Sequence, residues 1–102
     1  MSTVDQNLSQ TISQLTDVID DLPDGPQRDE LIRQQRMLGR QLQTLINRTV
    51  REDTSQYLAA TAALEKTNAA LVSARADIRK VAETITAVAQ AVEAIAALAA
   101  SL

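Results

Sequence analysis

Residue pattern and composition point to an all-α fold: an N-terminal antiparallel helical hairpin packed on a long C-terminal heptad helix, assembled as a coiled-coil or helical-bundle oligomer. Three observations carry this expectation. Apolar residues recur at steps of three and four along most of the 102-residue chain. Two Gly and two Pro leave few places to turn. Alanine, the best helix former, is absent from residues 1–58 and occurs 17 times in residues 59–102. One domain accounts for the length.

Residues 2–22 read as the first helix. Ser2 and Asp5 fit a Ser-x-x-acid start, close to a capping box. Leu8, Ile12, Leu15, Ile19 and Leu22 then form an a/d stripe. Pro23-Asp24-Gly25-Pro26 breaks the chain: Pro23 disfavours helical geometry at Leu22, and Pro26 suits the first turn of a new helix. A turn over 23–26 makes its flanking helices antiparallel neighbours.

Residues 26–50 read as the second helix, with Asp24 or Gly25 as its cap and Leu31, Leu38, Leu42 and Leu45 as its stripe. Gln35 falls on that stripe, where a polar group either fixes register or sits at the edge with its amide in water. The seam changes phase between Leu45 and Tyr57, and Asp53 with Gln56, or Thr54, suits a new cap. A break near 51–54 explains both features. The alternative is one helix from Pro26 to the C-terminus.

Residues 54–101 read as the third helix. Tyr57, Leu64, Leu71, Ile78, Ile85, Val92 and Ala99 recur every seven residues, each followed three later by Ala60, Thr67, Ala74, Val81, Val88, Ile95 and Leu102. A seven-residue repeat of this length implies a left-handed supercoil. At 1.5 Å per residue the helix would reach roughly 70 Å, about twice either earlier helix. The hairpin then covers only half of it. The other half carries the most apolar seam in the chain: Ile78, Val81, Ile85, Val88, Val92, Ile95, Leu98 and Leu102. Exposing it is unfavourable by about 25 cal/mol per Å² of apolar area, so these residues are the expected interface with another chain. β-Branched residues at both a and d favour a trimer or tetramer over a dimer. The partner is the chain itself or a helix of another protein. The flanking alanines suit close approach of neighbours on more than one side. In architecture alone the chain resembles small secretion-system partners and filament or needle subunits; the Trp-x-Gly turn of one such class is absent, and no functional residue is carried over.

The missing residue types narrow the chemistry. With no His and no Cys, the usual neutral-pH base, soft-metal sites and Ser-His or Cys-His catalysis are absent. No enzyme activity and no cofactor are expected. Asp17, Asp20, Asp21 and Asp24 cluster without calcium-loop spacing and read as a solvated helix end rather than a metal site. The net charge of −3 is unevenly placed. Residues 1–27 carry five Asp and no base, whereas residues 28–51 carry six Arg against Asp29 and Glu30. Asp17, Asp20, Arg33, Arg36 and Arg40 fall on outward positions and are candidates for steering a partner. An acidic chain with one Tyr for stacking is not expected to bind nucleic acid. Residues 84–102 resemble a membrane span, but Glu93 near the middle costs about 2.5 kcal/mol or more, against about 0.3–0.6 kcal/mol gained per large aliphatic. Insertion is therefore not expected. The N-terminus has neither a basic region nor an apolar run, so the default compartment is cytoplasmic, with signal-less export as the other route. The expected function is that of a non-enzymatic helical interaction module that self-assembles through its C-terminal helix. Its competitors are a hetero-partner adaptor, secretion chaperone or toxin-neutralising protein, and a membrane-associated or pore-forming helix.

Overall fold

The computed structural model describes residues 3–48 and 50–102. Four α-helices pack together: α1 (Val4–Asp21), α2 (Pro26–Ile46), α3 (Ser55–Ala76) and α4 (Val81–Ala100), with a 3₁₀ turn at Ile78–Lys80 before α4. Among the described residues there is no strand.

Local chemistry sets each boundary. Thr3 closes a capping box on α1: its hydroxyl accepts from the Gln6 N–H at 3.1 Å, and the Gln6 side chain accepts from the Thr3 N–H at 3.0 Å. Ser2, half of the expected box, lies outside the described residues. Leu22 is extended, as a residue before proline should be. Gly25 caps α2 and Pro26 opens it. The second helix stops at Ile46, four residues short of its expected end. Thr54 starts α3 by accepting from the Tyr57 N–H at 3.2 Å. Helices 2 and 3 are therefore separate, and the single helix from Pro26 onward does not form.

The third helix differs from the expectation over 54–101. It ends at Ala76, and Asp77 turns the chain through an extended conformation (φ −147°, ψ 101°). The Asp77 carboxylate accepts from the Arg79 N–H at 3.1 Å and from the Arg79 guanidinium at 3.0 and 3.1 Å. A short acidic side chain that bonds the backbone ahead of it competes with helix continuation. The longest dimension of the fold is 39 Å, which excludes a straight 70 Å helix. Burial supplies the driving force: folded back, α4 places its seam against the other helices instead of water. Nothing in the heptad signals this reversal, because helices before and after the turn keep the same period and the turn contains neither Gly nor Pro.

Hydrogen bonds between helices define the topology. Val4 N–H donates to the Tyr57 hydroxyl at 3.0 Å, Thr11 pairs with Asn68 at 2.7 Å, and Asp17 meets Arg75 at 3.6 Å, so α1 and α3 run parallel. Gln34 and Gln41 reach the Ile85 and Val92 carbonyls at 3.1 and 3.0 Å, so α2 and α4 are parallel as well. Each hairpin, α1–α2 and α3–α4, is antiparallel. Around the bundle the order is α1, α3, α4, α2, which leaves α2 and α3 on a diagonal bridged by residues 47–54. The core is one cluster: Leu8, Leu15 and Val18 of α1, Leu31, Leu38 and Leu45 of α2, Leu64 and Leu71 of α3, and Val88, Ile95 and Leu98 of α4. Ala60, Ala74 and Ala91, all fully buried, let α3 and α4 approach closely.

Candidate interaction surface

The seam expected to face another chain has its partners inside this one. Val81, Val88, Ile95 and Leu98 are buried in the intrachain core, whereas Ile78, Ile85 and Val92 are only half-buried at its edge. Leu102 is exposed. The core face of α4 is completed by Thr84 and Ala91, both fully buried. That face is therefore rotated from the expected a/d stripe toward the position before each a. A seven-residue repeat does not say which adjacent pair of its apolar columns points inward. The Ala-rich columns of α4 tolerate either choice.

The polar groups between helices set the register. Thr67 and Thr84 clasp α3 to α4, their hydroxyls 3.1 Å from the Ala87 carbonyl and 3.2 Å from the Ala70 carbonyl. Gln34, not Gln35, is the buried glutamine of α2, at 2% exposure; its amide donates to Ile85, and its own carbonyl oxygen has no partner among the described residues. Gln35 is half-buried and donates to the Ile12 carbonyl and the Thr16 hydroxyl, both at 2.9 Å. One sign of these residues is legible in the sequence: Thr67 occupies a seam position of the heptad.

The charged candidates all lie on the outside. Arg33, Arg36 and Arg40 are exposed on α2, and Asp17 and Asp20 on α1. Arg33 is bound to Glu30 through its guanidinium, which holds the Glu30 carboxyl below the usual carboxylate range and raises the Arg33 value. Asp17 is drawn toward Arg75 at 3.6 Å. Asp77 is likewise held low by the Arg79 side chain first and then by the Arg79 N–H. Among the described residues, no three acidic side chains converge on a point where a metal ion would sit.

The outer faces of the two hairpins differ in kind. The solvent side of α1 presents Gln6, Ser9, Gln10, Ser13, Asp17 and Asp20, and that of α2 presents Arg33, Arg36, Arg40 and Gln43. The solvent side of α3 instead presents Leu58 and Val72, 62% and 59% exposed, among Ala62, Ala69 and Ala76. Ala82, Ala89, Ala96 and Ala97 do the same on α4. The segment Ile78–Ala100 has mean hydropathy 1.5 and is long and apolar enough to cross a membrane, but its core face is used within the bundle. Fold and surface thus define a small four-helix bundle in which the solvent side of α3 and α4 mixes alanines, Leu58 and Val72 with Glu65, Lys66, Arg75, Glu83 and Glu93, while the α1–α2 hairpin is mostly polar outside apart from the exposed Ile46. Compared with known proteins, the chain matches no family model, no curated protein and no solved structure.

Proposed function

We propose that this protein is a non-enzymatic helical interaction module that self-assembles through its C-terminal half. The observation that carries the proposal is the contrast between the hairpins. Two large exposed aliphatics, Leu58 and Val72, and a run of exposed alanines favour contact over water on α3 and α4, although Glu65, Lys66, Glu83 and Glu93 share that side, and the opposite hairpin is mostly charged and polar outside apart from Ile46. The expected seam residues Val81, Val88, Ile95 and Leu98 hold the chain together, so contact with a partner falls to the outer side of α3 and α4. The composition supports a role without chemistry to this extent: with no His and no Cys the chain lacks the usual neutral-pH base and the soft-metal ligands. Sedimentation equilibrium over a wide concentration range tests the reading: a mass rising above the 11.0 kDa of one chain is expected.

A second reading is a hetero-partner module of the adaptor, chaperone or toxin-neutralising kind. It is favoured by Arg36, Arg40 and Asp20, exposed charges that would steer an oppositely charged partner. A chain that stays at the single-chain mass at every concentration sinks self-assembly and leaves this reading standing. Liposome flotation tests the membrane reading, for which no co-flotation is expected.

A further inference from the structure

We propose that α4 exchanges between two copies of this chain: residues 77–80 straighten, α3 and α4 become one helix, and each copy's α4 takes the place of the other's. Exchange uses the inner faces of α3 and α4, so it does not depend on the outer-face contact proposed above. The carrying observation is a column that runs through the turn. Ala60, Thr67 and Ala74 before it and Val81, Val88 and Ile95 after it are all buried, at seven-residue steps. Two helical turns separate Ala74 from Val81, so a straightened chain carries all six on one side. A turn one residue longer or shorter would put the two buried faces about 100° out of phase.

The reversal rests on one residue. Asp77 is extended (φ −147°, ψ 101°), whereas Ile78–Lys80 form a 3₁₀ turn and Val81 is already helical (φ −61°, ψ −29°). The segment holds no Gly and no Pro, so each of its residues accepts helical geometry. The Arg79 and Lys80 N–H groups now donate to the Asp77 carboxylate and carbonyl, at 3.1 and 3.0 Å. Straightening gives them the Arg75 and Ala76 carbonyls instead. It also removes the N-terminus of α4, which has no side-chain cap and carries Arg79 and Lys80 against its dipole. Asp77 is the latch, since its bonds to Arg79 hold the turn closed.

The contacts that hold α4 are ready for exchange. Thr67 meets the Ala87 carbonyl and Thr84 meets the Ala70 carbonyl, both pairs centred on residue 77. A twofold axis beside that residue re-forms both between copies. Gln34 and Gln41 likewise meet the Ile85 and Val92 carbonyls of the incoming helix. Every contact of α4 with the other helices recurs and only the turn differs, as in the exchange of an element between protomers. A short hinge favours it. Against it stand the lost freedom of two molecules and the approach of two Asp77 carboxylates at the axis, each within one turn of its own Lys80. The single chain therefore prevails on dilution.

The test uses the full chain, which has no cysteine of its own. Nitroxide labels at Lys66→Cys and Gln90→Cys occupy exposed sites whose side chains now meet at 3.5 Å. Labelled chain is unfolded with excess unlabelled chain, refolded at high concentration, and separated into single-mass and double-mass fractions. Each labelled molecule then reports a distance within one chain. About 10 Å is expected in the single-mass fraction, the spacing of packed helices. About 36 Å is expected in the double-mass fraction, the rise from 66 to 90 along one helix. Asp77→Ala removes the latch and the carboxylate repulsion, and should raise the association constant at least tenfold. Ile78→Pro keeps Asp77 extended and breaks a straight helix. It should abolish the double-mass fraction while circular dichroism stays helical. A short distance in the double-mass fraction, or a dimer undisturbed by Ile78→Pro, overturns exchange and leaves outer-face assembly standing. No double-mass fraction after refolding, in Asp77→Ala as well, overturns exchange too.

Discussion

Thr67 and Thr84 secure the C-terminal hairpin as a reciprocal pair. The Thr67 hydroxyl on α3 lies 3.1 Å from the Ala87 carbonyl of α4, and the Thr84 hydroxyl on α4 lies 3.2 Å from the Ala70 carbonyl of α3. Both contacts are symmetric about Asp77, the residue at which the chain reverses. The Thr67 proton is shared with the Ala63 carbonyl of its own helix, at 2.8 Å.

The hairpin should weaken when either hydroxyl is lost. Thr67→Val and Thr84→Val keep the shape and remove the bond, so each should lower stability by about 0.5–1.5 kcal/mol in urea denaturation. Unchanged midpoints in both would show that apolar packing alone sets the register.

Gln34 should respond oppositely to two substitutions. Its amide bonds the Ile85 carbonyl, but its carbonyl oxygen is buried without a partner among the described residues. Gln34→Leu fills the same space and removes that orphan, so it should be neutral or stabilising. Gln34→Ala leaves a void and should lose about 2 kcal/mol or more. Calorimetric melting of the two variants distinguishes them, and a large loss in the leucine variant would make the hydrogen bond the dominant contribution.

Substitution at a core position and at the outer stripe should separate folding from association. Val88 is fully buried and Leu58 is 62% exposed. Val88→Asp buries an unpaired carboxylate and should unfold the chain, read as loss of helical circular dichroism. Leu58→Glu should change stability by no more than about 0.5 kcal/mol. A helical, fully folded Val88→Asp chain would contradict the folded-back α4.

Acid should loosen the turn at Asp77. Its carboxyl is held below the ordinary value of 3.8 by the Arg79 side chain. A carboxyl with a depressed folded-state pKa adds stability above that ordinary value and loses it as pH falls through the folded-state pKa. Thermal stability should therefore decline below about pH 4, and less steeply in Asp77→Asn, where the titrating group is gone. Parallel acid profiles for the two chains would assign the sensitivity to other carboxylates.

The helical class, the Pro23–Pro26 turn and a cap at Asp53 or Thr54 were legible because each rests on chemistry within a few residues, and the structure chooses Thr54. The end of α3 was not. Asp77 sits with Arg75, Arg79 and Lys80 in a charged stretch that lies off the a/d columns, so the apolar period runs through it unbroken, and its turn is decided by what α4 gains on folding back. The same holds for the candidate interface: Val81, Val88 and Ile95 stand out in the sequence because they are core-forming, and core residues and interface residues share one pattern. That Leu58 and Val72 face outward emerges only once the inner seam is known to be occupied.

Periodicity, composition and turn residues alone establish an all-helical chain without His or Cys, its polar half first and its alanine half second. Those properties are local, since propensity and amphipathic spacing act over one or two turns. Packing alone settles which helices pair, which column of α4 faces inward, and which aliphatics are left outside. These depend on burial shared among all four helices, and a seven-residue repeat reads the same whether its neighbour is another molecule or the chain returning on itself.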